Sequence, residues 1–182
     1  MNETFYHTPV MLGEVMDELR VRENGIYFDG ALGGGGHSLA IMKAGGRVVA
    51  TDLDKDAIAY AGSRFEREGM SGRYTLVRDN FKNFTEIVDR LGIGAIDGAI
   101  LDLGVSSRQL DDGARGFSYR YDAELDMRMD DRAALTAEDI VNDWPAEKLT
   151  ELLYKYGEES FAHRIVSAIE RERGKHRIKT TG

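Results

Sequence analysis

Asp29-Gly30-Ala31-Leu32-Gly33-Gly34-Gly35-Gly36-His37-Ser38 follows the short apolar run Ile26 to Phe28 and leads into a helical pattern that begins near Leu39. A strand that breaks into glycines before a helix makes a cradle for a cofactor. Glycine permits positive φ and close approach of a ligand to backbone, and the free amides at the start of the helix attract electron-rich groups. Two familiar fingerprints are absent. Started at Gly33, the dinucleotide pattern G-x-G-x-x-G needs its third glycine where Ser38 stands, and started at Gly34 it needs one where Leu39 stands. The P-loop requires a lysine after its glycines, and none follows. Nicotinamide and nucleoside triphosphates are therefore disfavoured.

A second strand, Arg47 to Ala50, ends in Asp52, and an acid roughly 20 residues past a glycine loop is the usual ribose partner in such folds. The combination fits a ribosyl cofactor without a pyrophosphate, and S-adenosylmethionine is the leading candidate. A glycine turn that only packs a helix, beside a solvated aspartate, is the plainer alternative. Asp29 and Asp52 in strand context weigh against it.

Outward from this loop, strand and helix alternate. Strands are expected at Ile26 to Asp29, Arg47 to Asp52, Tyr74 to Arg78 and around Asp102, where Ala99, Ile100, Leu101 and Leu103 form a near-continuous apolar run suited to a parallel sheet covered on both faces. Helices are expected from about Lys55 to Glu66 and from Phe84 to Leu91. Thr8-Pro9 reads as an N-cap with proline at the first helical position, ahead of Leu12, Val15, Met16 and Leu19 at helical spacing. Residues 1–108 thus read as a doubly wound α/β domain with a parallel sheet. Beyond Gly104 a polar loop runs to Arg132. Helices then follow, one capped by Thr136, one begun by Pro145 and one marked by Phe161, Ile165, Ala168 and Ile169, so residues 109–182 read as a small helical domain.

Composition narrows the function classes. The chain has 182 residues, 42% hydrophobic and 31% charged, which is ordinary for a globular protein. It contains no cysteine, which excludes disulfides, thiolate metal sites and a cysteine nucleophile. No apolar stretch approaches a membrane span and no leader is evident, so a cytoplasmic protein is expected. A net charge of −8 argues against a nonspecific nucleic-acid coat. Arg164, Arg171, Arg173, Lys175, Arg177 and Lys179 form one local basic cluster, read either as a phosphate-facing patch or as a solvated helix end with cations set against the helix dipole.

The loops after the strands carry the chemistry. Asp79-Asn80-Phe81 follows the third strand, where Phe81 can stack on an adenine and Asp79 is a weaker candidate for its edge. Asp102 ends the fourth strand beside the glycine loop; it can accept a hydrogen bond from an attacking amine or hold a cofactor ammonium. A metal at Asp102 is the weakest reading, for want of companion ligands, and no metal is expected. His37 is assigned to cofactor-loop geometry rather than catalysis. Ser106 and Ser107 read as turn or helix caps. Gln109 to Ser118 and Leu125 to Asp130 suggest a surface that closes over something, with core-anchoring methionines as the plainer reading.

Taken together, His7-Thr8-Pro9-Val10, the Asp29 to Ser38 loop, Leu101-Asp102-Leu103-Gly104-Val105-Ser106-Ser107, Arg115-Gly116-Phe117-Ser118, Leu125-Asp126-Met127-Arg128-Met129-Asp130 and Tyr156-Gly157-Glu158-Glu159 closely resemble the MraW (RsmH) family, over essentially the whole chain. The resemblance implies a Rossmann-like class I methyltransferase fold. It also implies S-adenosylmethionine-dependent methylation of a cytosine N4 amine in 16S ribosomal RNA of the small subunit. Cofactor contacts are implied from Gly35, Gly36, His37, Asp52, Phe81, Asp102 and Gln109, the last on the resemblance alone. Asp102 is our expected catalytic residue on its position after the fourth strand, either as acceptor for the attacking amine or as holder of the cofactor ammonium. The family's chain is longer and returns to the sheet with further strands, so we expect a sheet lacking C-terminal strands, an apolar fourth-strand edge open to a homodimer, and weakened or absent catalysis. A noncatalytic S-adenosylmethionine- or RNA-binding module is the second reading.

Overall fold

The computed structural model describes residues 9–182. It divides into two compact units, Met1–Ser107 and Arg108–Gly182. In the first, α1 (Leu12–Leu19), β1 (Ile26–Asp29), α2 (Gly36–Lys43), β2 (Arg47–Thr51), α3 (Lys55–Arg67), β3 (Tyr74–Val77), α4 (Phe84–Arg90) and β4 (Gly98–Ile100) follow one another, with a 3-10 turn at Phe81–Asn83. The four strands form one parallel sheet in the order β3-β2-β1-β4. The chain steps outward from β1 to β3 and then returns to the other side of β1. Strand order therefore reverses between β1 and β4, and the crevice at the carboxyl ends of those strands is where such sheets bind ligands.

Side-chain alternation along the strands feeds two core layers. Tyr27, Val48 and Ala50 pack with Leu39, Ile41 and Met42 of α2 and with Ala61 and Phe65 of α3 on one face. Phe28 and Val49 pack with Ile87 of α4 on the other, where the Phe28 and Phe84 rings meet edge to face at 4.8 Å. The capping signals act locally: Asp54 begins α3 by accepting from the Asp56 amide at 2.9 Å.

Two expectations are corrected. The helix at the start does not open at Pro9; α1 begins at Leu12, after Met11 at φ 52°. Pro9 instead lies against Gly36, where an added Cβ would strike the proline ring. Thr8, expected as the cap, lies outside the described residues. The fourth strand is only three residues long, and Leu101 and Leu103 are 50% and 61% exposed rather than buried in a covered sheet. Its partner runs out: pairing with β1 ends at Asp29 opposite Ile100, and Gly30 closes it by donating to the Ile100 carbonyl at 3.0 Å.

The second unit holds α5 (Ser107–Asp111, begun at the last residue of the first unit), a 3-10 turn at Gly113–Arg115, α6 (Ala137–Asp143), α7 (Ala146–Gly157) and α8 (Ala162–Arg173). Thr136 and Asp139 form a reciprocal capping box at the start of α6. Leu149, Ala162 and Val166 are the buried apolar residues of α7 and α8. The return of the chain end is held by polar contacts, with Asn142 exchanging two 2.8 Å hydrogen bonds with Ile178 and an isolated antiparallel bridge joining Glu124 and Thr180.

Candidate functional site

The glycine loop connects the tip of β1 to α2, and four contacts tie it down. Leu32 donates to the Thr51 carbonyl at 3.0 Å, Gly33 donates to Asp52 Oδ2 at 2.8 Å, and Gly35 donates to the Leu32 carbonyl at 2.8 Å. Arg64 of α3 reaches across to donate to the Gly34 carbonyl at 2.9 Å. Several loop amides are therefore already taken. The amides at the start of α2, on Gly36, His37 and Ser38, have no acceptor inside the helix.

The glycines do different things. Gly33 adopts φ 51° with open space around its Cβ position. At Gly35, with φ 71°, an added Cβ would lie 2.6 Å from Phe65 Cζ and 3.2 Å from Ala61 Cβ. Its absence lets α3 pack on the loop, so the plainer reading of the run as a packing turn holds at this one position. Gly30 likewise leaves room for Leu101 and for Phe81, whose Cβ would stand 3.0 Å from an added methyl. Phe81, 37% exposed, thus lies at the tip of β1.

Two carboxylates flank the loop. Asp52, at the end of β2, accepts from Gly33 through Oδ2 and from Asp54 at 2.9 Å through Oδ1. A carboxylate offers about four lone-pair sites, so Asp52 keeps room for a further donor. Burial raises the Asp52 carboxyl above its ordinary value, backbone hydrogen bonds from Asp54, Gly33 and Leu53 oppose it, and the Asp54 charge adds to the rise. Asp29 is 3% exposed and accepts from the Ser38 hydroxyl at 2.7 Å and the Ala31 amide at 3.2 Å. Burial again raises its carboxyl; Ser38, Ala31 and His37 lower it, and Asp52 raises it further.

A carboxyl raised above its unfolded value of 3.8 binds more protons folded than unfolded, so it favours folding below that pH and opposes it as pH rises. Asp29→Asn is uncharged throughout and keeps partners for Ala31 and Ser38. Its stability relative to wild type, read from urea midpoints, is expected to improve steadily from about pH 4 to about pH 7. A difference that stays constant over that range would refute the burial argument.

His37 is 6% exposed, with Nε2 at 3.0 Å from the Val10 carbonyl and Nδ1 at 3.8 Å from Asp102 Oδ2. Asp102, whose side chain is 48% exposed, lies just past β4. Gly35, Gly36, His37, Asp52, Phe81 and Asp102 thus belong to the first unit, at or near the carboxyl ends of its strands. Gln109 belongs to α5 in the second unit and is 7% exposed there. Asp79 turns inward locally, accepting from the Asn80 amide and the Asn83 side chain at 2.8 Å each. The contacts that Ser38, Arg64 and Val10 make with the loop are what sequence reasoning missed. Their partners lie 9, 30 and 27 residues away, and no spacing signal links them.

In the second unit the basic cluster is largely occupied by its own protein. Arg173 donates to the Val141 and Trp144 carbonyls at 2.9 and 2.8 Å, and Lys175 pairs with Glu172 at 3.0 Å. Arg177 is clasped by Glu138, Asp139 and Asp143, and the hydrogen bonds to Asp143 and Glu138 raise its pKa further. The solvated-helix-end reading fits this better than a phosphate patch. The Leu125 to Asp130 stretch is likewise self-bound, with Asp126 taking three hydrogen bonds from Arg128. Among the described residues no helix is long and apolar enough to cross a membrane.

Comparison with known proteins adds a second line. The chain is 47% identical over 181 residues to ribosomal RNA small subunit methyltransferase H of Symbiobacterium thermophilum, covering 98% of this chain and 56% of that one. It is 46% identical over 182 residues to the protein of that name from Brevibacillus brevis, covering 98% and 57%. The chain therefore spans a little over half the length of these curated relatives. Among solved structures, an rRNA methylase from Streptococcus thermophilus is similar at a TM-score of 0.42 and 21% identity, over 52% of this chain and 49% of that one. A precorrin 8w decarboxylase of Methanobacterium thermoautotrophicum gives 0.46 and 23%, over 55% and 52%. The MraW methylase family model matches residues 4–182, and the chain belongs to that family.

Proposed function

We propose that the chain belongs to an enzyme that uses S-adenosylmethionine to methylate the N4 amine of a cytosine in 16S ribosomal RNA of the small subunit. One observation carries this reading: the glycine loop after β1, Asp52 after β2 and Asp102 after β4 lie at the carboxyl ends of neighbouring strands, around the point where strand order reverses. The names of the similar proteins support the RNA part of the proposal.

S-adenosylmethionine, when bound, supplies a methyl group activated by a sulfonium. The residues present suit such a group. Asp52 presents a carboxylate to ribose hydroxyls, Phe81 offers an apolar face to adenine, and the α2 amides of Gly36 and His37 offer donors, with Gly35 before them allowing close approach. Gln109 is a further contact carried over from the family resemblance. Cytosine N4 is a weak nucleophile because its lone pair is delocalised into the ring. A carboxylate that accepts its N–H as the nitrogen becomes tetrahedral lowers that barrier, and Asp102 is exposed enough to do so or to hold the cofactor's ammonium. The base must be splayed from its stack to arrive there. The second unit, with its helices and the loop from Gln109 to Asp130, is the part we assign to the flanking RNA.

Calorimetry with S-adenosylmethionine and radiolabelled methyl transfer to small-subunit particles test the proposal together. Binding with transfer supports the enzyme. Binding without transfer favours a noncatalytic module, and absence of any heat sinks the cradle itself.

A further inference from the structure

We propose that Tyr119 and Arg120 form a stacking seat for one unpaired nucleotide of RNA, the ring lying on the base and the guanidinium meeting a phosphate. This seat, which rests on the RNA reading of the chain, adds residues that hold the strand to those that hold the cofactor.

In the second unit, Phe117-Ser118-Tyr119-Arg120-Tyr121 sets an aromatic ring at every second position with an arginine between the last two. The flanking rings are already used. Phe117 is half-buried and lies beneath the Arg115 guanidinium at 5.8 Å, and Tyr121 fills the space where a Cβ on Gly113 would stand, 2.8 Å from Tyr121 Cγ. Tyr119 is 89% exposed, the highest value for any large apolar side chain among the described residues. A ring left in water gains most from a flat apolar partner, and every base offers a π-face.

The tip that carries Tyr119 is braced from below. Ser118 Oγ accepts from the Arg120 amide at 3.2 Å, the Thr181 hydroxyl donates to the Tyr121 carbonyl at 2.6 Å, and the Thr181 amide donates to the Ala123 carbonyl at 2.9 Å. At Gly116, with φ 71°, an added Cβ would strike the Glu124 carbonyl at 2.4 Å, so the two arms of the loop close on each other. A ring presented on a fixed base loses little conformational freedom when it is covered.

Charge points to a nucleotide as the occupant. Arg128, Arg173 and Arg177 spend their guanidinium groups on carbonyls and carboxylates of their own unit. Arg120 is exposed, and among the described residues its guanidinium has no partner. The neighbouring acid, Asp122, is occupied by the Gly182 amide at 3.2 Å. A free cation next to a free ring matches the phosphate and base of an unstacked nucleotide, the form in which single-stranded RNA is recognised.

The test is fluorescence anisotropy of the full chain with a single-stranded oligocytidylate, and with the same strand paired to its complement. Tyr119→Ala is expected to weaken binding of the single strand by about five- to a hundredfold, the loss of one base stack. Tyr119→Phe keeps the ring and should stay within about twofold of wild type. Arg120→Ala should flatten the dependence of log affinity on log salt by about 0.7, the share of one phosphate on a single strand. The duplex keeps its bases stacked, so Tyr119→Ala should leave its affinity unchanged. Urea midpoints and calorimetric S-adenosylmethionine binding should be the same in all three variants, because both side chains project into solvent. Wild-type affinity of Tyr119→Ala for the single strand overturns the seat while the RNA reading stands. So does equal loss in Tyr119→Phe, which would assign the effect to the hydroxyl, or a lowered urea midpoint, which would mean that the ring packs within the chain. A change of oligomeric state in Tyr119→Ala with unaltered RNA affinity would give the ring to a protein contact instead. Failure of wild type to bind either RNA overturns the RNA reading and the seat with it.

Discussion

Gly35→Ala is expected to destabilise the first unit by about 2–5 kcal/mol, enough to leave many domains largely unfolded at physiological temperature. Two penalties combine. A non-glycine residue at φ 71° costs about 1–2 kcal/mol, and forcing a methyl to within 2.6 Å of the Phe65 ring costs about 1–3 kcal/mol more in displaced packing. Phe65 cannot yield easily. It is fully buried, and its ring also meets Tyr74 edge to face at 5.1 Å. Gly33→Ala is the internal control, because Gly33 shares the positive φ but its Cβ position is open, with only the Ala31 carbonyl at 3.9 Å. Only the backbone penalty of about 1 kcal/mol applies there. Denaturant unfolding of both variants separates the terms. Equal losses would mean that Gly35 serves conformation alone and that the packing of α3 on the loop contributes nothing.

Asp52→Asn is expected to weaken S-adenosylmethionine and adenosine alike, by about a hundredfold or more. The carboxylate is the proposed partner of the ribose, and hydrogen bonds to a charged acceptor contribute about 1.5–3 kcal/mol each. The amide also presents an NH2 where a backbone N–H now points, since both oxygens already accept from Gly33 and Asp54. Loop and ligand therefore suffer together. Asp102→Asn supplies the contrast: it is expected to weaken S-adenosylmethionine while leaving adenosine unchanged, because Asp102 is assigned to the ammonium or to the reacting amine. Calorimetry with the two ligands on the two variants reads the split. Loss of S-adenosylmethionine binding in Asp52→Asn with adenosine binding intact would move Asp52 away from the ribose.

Much of the frame was legible in the amino-acid order. Ile26–Asp29, Arg47–Thr51 and Tyr74–Val77 form strands within a residue of expectation, and Thr136, Pro145 and Phe161 each stand at the threshold of a helix. Such features depend on near neighbours, through apolar runs and capping side chains. The misreadings fall where distant chain intervenes. Leu101 and Leu103 look like buried strand until the length of β1 cuts their pairing short. Pro9 looks like a helix start until it is seen against Gly36.

The site divides along the same line. The order of residues by itself determined that a glycine loop joins a strand to a helix, that acids stand at the ends of strands, and that the glycine pattern fits neither a dinucleotide nor a nucleoside triphosphate, because these are matters of local spacing. Only the tertiary structure decided which glycine makes room for a helix, that Asp52 grips the loop it faces, that Arg173 and Arg177 are held by their own protein, and that His37 stands between Val10 and Asp102. Each of those outcomes is a meeting of groups far apart in sequence, governed by how the sheet and its helices pack.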